Sequence, residues 1–154
     1  MILIQMWYIN IEWRANMLAN GIKLEYSEST SGYTLLTGLK EVPELGVEPE
    51  KVENTTLADT VKQYELGIGD AGELEYKFKY ENKTATSPFR VLRKAMDSKK
   101  VLNFKQTYPD GTTVTFSGQV SVKLSGGGVN GVIEFTLKVA LQSDLVFADA
   151  SVVM

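Results

Sequence analysis

Strict alternation of apolar and polar residues is the pattern that most constrains this chain. From Thr113 to Leu124 the apolar side chains occupy every second position, and Gly118 shares their parity. Successive side chains of a β-strand point to opposite faces, so the pattern predicts a strand with one buried face. A strand of that length would reach about 40 Å, so we expect it either to project from the body or to bend at Gly118.

The same alternation recurs in neighbouring segments. Residues 73–80 alternate leucine and aromatics with glutamate and lysine, and residues 133–141 repeat the pattern. The glycine-rich stretch from Ser125 to Gly131 is typical of a hairpin loop, and Pro109-Asp110-Gly111 is typical of a tight turn. These signals predict a meander of three strands, over residues 101–108, 113–124 and 133–141. Strands are also predicted over residues 22–26, 33–37 and 145–152.

One segment, from about Ser87 to Asp97, has the features of a helix. Ser87 suits the capping position, and Pro88 suits the first helical position. The apolar residues of the segment fall on one stripe of a helix, as expected for packing on a sheet. They are Phe89, Leu92, Ala95 and Met96. The sequence therefore predicts a mainly β, sandwich- or barrel-like domain with one flanking α-helix.

A stretch from about Gly38 to Thr60 shows no periodicity and contains Pro43, Gly46 and Pro49 among acidic residues. It predicts a long loop. Loops of this length are uncommon in compact domains and are usually functional, or disordered until bound. We interpret the stretch as the main interaction candidate of the chain.

The first twenty residues differ from the remainder. The apolar run from Ile2 to Ile11 is too short to span a bilayer and lacks the basic start of a secretory signal. Met17 stands just before the first strand-like segment. We therefore predict an N-terminal extension or flexible arm over residues 1–20 and a single domain over residues 21–154.

The chain contains no cysteine and no histidine. Thiolate metal sites, cysteine nucleophiles and Ser-His-Asp arrangements are thereby excluded, along with the commonest general base. The carboxylate pair Glu73 and Glu75 has the spacing of a solvated strand face, which explains it better than acid–base catalysis does. The sequence predicts no catalytic residue, no cofactor, no metal and no small-molecule substrate.

The charges are unevenly distributed around a net charge of −3. Acidic residues crowd positions 41–59, and basic residues crowd positions 90–105. Two such patches can pair head to tail between copies of the chain, or they can be two solvated faces. The basic cluster is also compatible with single-stranded nucleic acid, but an acidic protein with basic residues spread over helix, loop and strand favours a surface face.

From about Gly21 to Ser151, the order of these features resembles the major tail tube proteins of long, non-contractile-tailed bacteriophages. The resemblance is carried by several short segments in a fixed order. They are the strand over residues 22–26, EVPELGVEPEKVE at 41–53 with NTTLAD at 54–59, the GIGDAG turn at 67–72, Pro109-Asp110-Gly111, and FSGQV at 116–120.

The resemblance implies a sandwich-like domain, flanked by a helix, that forms rings of six stacked into a hollow tube. DNA would pass through that tube without specific binding. The partners implied are copies of the chain and other tail proteins, with no membrane. The place implied is the virion tail, after synthesis in the cytoplasm of a bacterial host.

In tubes of this kind, an extended loop between early strands reaches the neighbouring ring. The resemblance therefore implies inter-ring contacts by residues of the acidic stretch. Our own hypothesis adds an acidic lumen that repels DNA phosphates, for which the outward-facing Glu73 and Glu75 are candidates. The loop candidates are Pro43, Leu45, Gly46, Val47, Glu48, Pro49, Val52 and Leu57. Two alternatives stay open: the tube protein of a contractile secretion or bacteriocin-like machine, and a ligand- or carbohydrate-binding β-sandwich with exposed aromatics.

Overall fold

The computed structural model describes residues 17–151, and this part of the chain contains ten β-strands and one α-helix. The predicted N-terminal extension falls mainly on residues 1–16, which lie outside the described residues. The elements are β1 Lys23–Ser27, β2 Thr34–Leu36, β3 Leu39–Glu41, β4 Glu48–Glu53, β5 Tyr64–Asp70, β6 Glu73–Lys79, α1 Pro88–Asp97, β7 Val101–Thr107, β8 Thr113–Leu124, β9 Glu134–Leu141 and β10 Val146–Ala148.

Most strands belong to one antiparallel sheet in the order β2-β1-β7-β8-β9-β6-β3, with β10 paired to β8. Strands β4 and β5 form a separate two-stranded sheet. The predicted meander is confirmed as β7, β8 and β9. The weaker strand predictions correspond to β1, β2 and β10, with bounds that differ at one or both ends.

The long strand β8 changes partner along its length. Its first part pairs with β7 as far as Val101↔Gln119, and its second part pairs with β9 from Gly118↔Leu141 onward. A side chain at Gly118 would overlap the carbonyl oxygen of Ala140 and approach Cγ1 of Val139 to 2.8 Å. Glycine is therefore required where the partner strands approach most closely, which gives the predicted special role of Gly118 a physical cause.

The two parts of the main sheet share one hydrophobic core. The hydroxyl of Tyr76 on β6 donates a hydrogen bond of 2.7 Å to Oε1 of Gln106 on β7, although these strands are not neighbours in the sheet. The sheet therefore folds over itself in the predicted sandwich-like way. The large side chains at its centre are Leu24, Tyr76, Phe78, Leu92, Leu102, Phe104, Phe135 and Leu137, all essentially inaccessible to solvent.

Helix α1 closes this core with the predicted apolar stripe. Phe89, Leu92 and Ala95 are buried, and the ring of Phe89 meets those of Tyr80 and Phe135 edge-on at 5.2 and 5.4 Å. Ser87 precedes the helix as predicted, but its side chain makes no capping bond. Its hydroxyl instead accepts a hydrogen bond of 3.0 Å from the backbone N–H of Thr84.

The prediction of an unstructured loop from Gly38 to Thr60 is wrong for two segments. Residues of β3 pair with β6, and residues of β4 pair with β5. The error has a physical cause: β4 is exposed on both faces except at Pro49, so its sequence carries no alternation that burial would impose. Only Gly38, residues 42–47 and the residues after Glu53 remain outside strands.

No helix within residues 17–151 is long and apolar enough to cross a membrane. The same residues contain no cluster of three or more acidic, histidine or cysteine side chains arranged to hold a metal ion.

Candidate assembly surface

The most prominent surface feature is the hairpin of β4 and β5, residues 48–70, which we call the arm. Its register runs from Glu48↔Asp70 at the base to Glu53↔Tyr64 near the tip, with an irregularity between Pro49 and Lys51. Every residue from 50 through 66 is exposed. The arm therefore projects from the body instead of packing on it.

One face of the arm carries an uncovered apolar row. Tyr64, Leu66 and Ile68 alternate along β5 and are 55%, 68% and 96% exposed. On the opposite face, apolar side chains of the adjoining segment lie over Gly67 and Gly69. A Cβ added at Gly67, for example, would lie 3.2 Å from Cγ2 of Val52. Exposed apolar rows of this kind mark interaction sites on soluble proteins.

The tip of the arm, residues 54–63, is ordered by its own hydrogen bonds. The backbone N–H of Asn54 donates to the carbonyl of Gln63 at 2.9 Å. The carboxylate of Asp59 accepts hydrogen bonds from the backbone N–H and hydroxyl of Thr56 at 2.8 and 2.9 Å, which lowers the pKa of Asp59. Leu57 stands fully exposed at this tip. The hairpin therefore forms its hydrogen bonds within a single chain, and its apolar side chains remain exposed to solvent.

The residues predicted for the interaction loop divide into two groups. Glu48, Pro49 and Val52 lie on β4, and Leu57 lies at the tip. Pro43, Leu45, Gly46 and Val47 form the connection from β3 to the arm, where Leu45 packs partly against the core. The first group lies on the projecting surface, whereas the second group lies at its root.

Strand β5, which bears the exposed apolar row, was not predicted from the sequence. A signal was present, because Tyr64, Leu66 and Ile68 have the period of two that indicates a strand. Glycines at positions 67 and 69 weakened it, since glycine is depleted in strands. The pairing of β5 with β4 across a loop of about ten residues also left no local signature.

Charge on the arm is strongly negative. Residues 48–70 contain six acidic side chains and two lysines, a net charge of −4 in a chain whose total is −3. Within the arm, Lys62 lies 3.7 Å from Glu53, and the side-chain amide of Asn54 donates to Glu65 at 2.8 Å. The arm therefore combines an apolar row with excess negative charge.

The outward face of β6 bears the two acids predicted for a lumen. Glu73 and Glu75 are exposed, and they alternate with the buried Leu74 and Tyr76 as predicted. Glu73 lies 3.3 Å from Nζ of Lys138 on β9. Two further lysines of this region, Lys77 and Lys40, form ion pairs with Glu41 and Glu134, so the face mixes both charges.

A family model described as phage tail tube protein matches residues 20–150. The chain belongs to the phage tail tube protein family. The predicted resemblance is thereby confirmed, and a structural role in a tail tube follows for this protein. A search of curated protein sequences gave no match.

Solved structures with the same fold come from assembled particles. The tail of an empty gene transfer agent particle, refined with C6 symmetry, has a TM-score of 0.63 at 19% identity, covering 83% of this chain and 94% of that chain. The SPP1 tail tube has a TM-score of 0.62 at 13% identity, with coverages of 88% and 81%. The six-fold symmetrised baseplate of the anti-feeding prophage has a TM-score of 0.63 at 13% identity, with coverages of 90% and 99%.

Aromatic positions in this tail tube protein do not favour the ligand-binding alternative. A carbohydrate-binding sandwich presents aromatic side chains on an open face. Here the described aromatics lie mainly in the core, and the two largest exceptions, Tyr64 and Phe147, belong to different sheets. The buried aromatics are Tyr76, Phe78, Phe89, Phe104, Phe116 and Phe135.

Proposed function

We propose that this tail tube protein assembles with copies of itself into stacked rings of six, which form the tube of a virion tail. The C6 symmetry of the gene transfer agent tail, whose subunit shares the fold, supports the ring number. Other tail proteins contact the ends of the tube. The protein is made in the cytoplasm of a bacterial host and functions in the virion.

The observation that carries this proposal is the apolar row on the arm. A two-stranded hairpin is marginally stable in water by itself, and this one exposes Tyr64, Leu66 and Ile68 without cover from the rest of residues 17–151. Covering each of these side chains contributes on the order of 1.5–3 kcal/mol. The arm of one subunit is therefore covered by a subunit of the neighbouring ring.

Within a ring, the ends of the main sheet supply the contacts. Strands β2 and β3 are the terminal strands of the sheet, and each is three residues long. Unpaired strand edges readily pair with another chain, and short edges limit uncontrolled pairing. Closing a ring pairs these edges between neighbours and leaves no free edge at the junction.

The outward face of β6, with Glu73 and Glu75, is our candidate for the channel wall. Its carboxylates repel DNA phosphates. Its lysines Lys40, Lys77 and Lys138 already bind carboxylates, so phosphates find few free cations. A wall with paired charges lets DNA slide without specific binding.

Electron microscopy of the concentrated protein tests self-assembly directly. Rings or tubes are the expected result, and particles that stay monomeric at every concentration would contradict the proposal. Tight retention of DNA by the tubes at physiological ionic strength would contradict the proposed channel wall.

The role of the arm has its own test. Residues 48–68 can be deleted by joining Val47 to Gly69, which are neighbours in the structure. We expect a folded protein that forms no tubes. A milder pair of variants gives a matched comparison: Leu66→Ser with Ile68→Ser on the arm, and Val129→Ser with Val132→Ser in the glycine-rich loop, which exposes apolar side chains to a similar degree. Tubes from the arm variants would show that the arm does not join rings.

A further inference from the structure

Helix α1 presents a basic surface to solvent. Arg90, Arg93 and Lys94 lie three and four positions apart, which places them on one side of the helix, and Lys99 follows its end. We call these four residues the basic stripe. Asp97 is the acidic residue on the same side of the helix.

The basic stripe has unused charge and a fixed geometry. Among the described residues, none of its four members forms an ion pair. Arg90 is oriented by hydrogen bonds of 2.8 and 3.2 Å to Asn82, and the guanidinium of Arg93 lies 5.7 Å from the ring centre of Phe89. Lys94 and Lys99 are exposed. The stripe is thus a preformed site for carboxylates.

The arm and the start of the basic stripe lie at opposite ends of β6. The arm enters β6 at Glu73 through a two-residue connection, whereas Phe89 packs near the other end, against Tyr80 and Phe135. Six residue steps of a strand separate these ends by about 20 Å. The basic stripe begins at the far end and runs toward the arm: the carbonyl of Lys99 accepts a hydrogen bond of 3.1 Å from the side-chain amide of Gln119, which is in register through Ala140 with Glu73.

We infer that the arm of one copy docks on the basic stripe of a second copy. The inference rests on the proposed stacking of rings and identifies the surface that receives the arm. The acidic arm and the basic stripe are two different, oppositely charged surfaces of one subunit, so their contact is head-to-tail, and such a contact repeats indefinitely when it does not close on itself. The direction of tube growth is then set by charges within each subunit.

The spacing of the charged groups agrees with this contact. Glu48, Glu50 and Glu53 on β4 extend over about 16 Å of strand. The basic stripe from Arg90 to Lys99 extends over about 13 Å of helix. Beside the stripe, Val101 is 43% exposed and offers apolar surface to the apolar row of the arm. The arm and the basic stripe therefore have similar lengths and opposite charges, and each offers apolar surface to the other.

A second copy fits the stripe better than DNA does. The stripe offers only four cations, few for the multiple phosphate contacts on which DNA binding relies, whereas the arm also brings an exposed apolar row. Every subunit supplies one arm for every stripe, so self-assembly satisfies all of these charges at once. DNA would compete for the stripe only if it bound there more strongly than the arm.

Charge reversal tests the docking. An arm variant carries Glu48→Lys, Glu50→Lys and Glu53→Lys, and a stripe variant carries Arg93→Glu and Lys94→Glu. We expect each to raise the critical concentration for tube formation at least tenfold, and the protein with all five substitutions to recover most of the loss. A combined protein no better than either parent would overturn the inference while leaving arm-mediated stacking intact.

Cross-linking tests the docking without requiring tubes. Because the chain contains no cysteine, single cysteines can be introduced at will. A mixture of Glu50→Cys and Lys94→Cys proteins should form a disulfide-linked heterodimer in several-fold higher yield than a mixture of Glu50→Cys with Val129→Cys. Equal yields would overturn the docking, whether or not the wild type assembles. A strong cross-link in a protein that never forms tubes would uphold the docking and reject the proposed function.

A DNA-binding measurement tests whether DNA, and not the arm, binds the basic stripe. A labelled duplex is titrated with wild-type and stripe-variant monomers at physiological ionic strength. We expect no measurable binding by either protein. Binding that the stripe variant abolishes, with cross-linking to the arm unchanged, would assign the stripe to DNA and overturn the inference.

Discussion

The hydroxyl of Tyr76 donates a hydrogen bond to Oε1 of Gln106 across the centre of the core, and both side chains are completely buried. The strands that carry them, β6 and β7, are separated in the sheet by β8 and β9. The bond therefore joins the two parts of the folded sheet directly. Nε2 of Gln106 has no hydrogen-bond partner within the described part of the chain.

Removing one partner of this bond should be costly. Tyr76→Phe leaves Oε1 of Gln106 buried without a donor, so we expect the free energy of unfolding to fall by about 1–3 kcal/mol in urea denaturation. The double variant Tyr76→Phe with Gln106→Met removes both polar partners and should recover part of the loss. A double variant as unstable as the sum of the two single variants would contradict this account.

Burial also makes stability depend on alkaline pH. Desolvation raises the pKa of Tyr76 far above its ordinary value, with a smaller contribution from Tyr108. A tyrosine in the unfolded chain ionises at about pH 10. The contribution of the buried group is thus complete below that pH and is lost as the pH rises above it, by about 1.4 kcal/mol per pH unit. Urea denaturation of wild type and Tyr76→Phe from neutral to alkaline pH checks this, and parallel curves would refute it.

Gly118 should tolerate no side chain. Gly118→Ala places a methyl group against the Ala140 carbonyl, where β7 and β9 both flank β8, and we expect a loss of about 1–3 kcal/mol. Gly126→Ala is the matched control, because no atom of residues 17–151 lies within 4 Å of the position of its Cβ. Thermal denaturation compares the two variants. Equal melting temperatures would mean that the strands shift easily at this point.

The apolar stripe of α1 should contribute strongly to stability. Leu92 is completely buried, so Leu92→Ala should lower the free energy of unfolding by about 2–5 kcal/mol. Lys94→Ala, on the exposed side of the same helix, should change it by no more than about 0.5 kcal/mol. Urea denaturation of monomers measures both. Similar losses would show that the helix is held by something other than its buried face.

Hydrogen exchange should distinguish the arm before and after assembly. The arm is a two-stranded sheet with almost no burial, so its amides should exchange much faster than those of β7, β8 and β9 in the monomer. In tubes, the amides of Tyr64–Asp70 should become protected because the neighbouring ring covers them. Unchanged exchange in this segment would mean that the arm remains free in the tube.

The parts of the fold that the sequence predicted are those in which burial dictates the pattern. Strands β6, β8 and β9 each bury one face, and selection for a core leaves apolar residues at every second position. The helix was predicted for the same reason, at a period of 3.6 residues. The predicted cap is wrong, because the hydroxyl of Ser87 has a competing partner in the preceding turn.

The arm could be predicted only in part. Its acidic and proline-containing composition indicated an interaction region, but β4 is held by backbone pairing with a segment more than ten residues away. Such pairing leaves no trace in the side chains of an exposed strand. The residues that best explain assembly are Tyr64, Leu66 and Ile68, and only the structure shows that they stay exposed among the described residues.

Strand β8 has a mechanical consequence for any filament built from this subunit. Since it is paired in both parts of the folded sheet, a pull on one part reaches the other along peptide bonds. Two layers joined by packing alone can shear past one another, whereas here shear must also break the pairing of β8 with β7 or with β9. The subunit body is therefore stiff, and curvature of a long tail is accommodated at the joints between subunits.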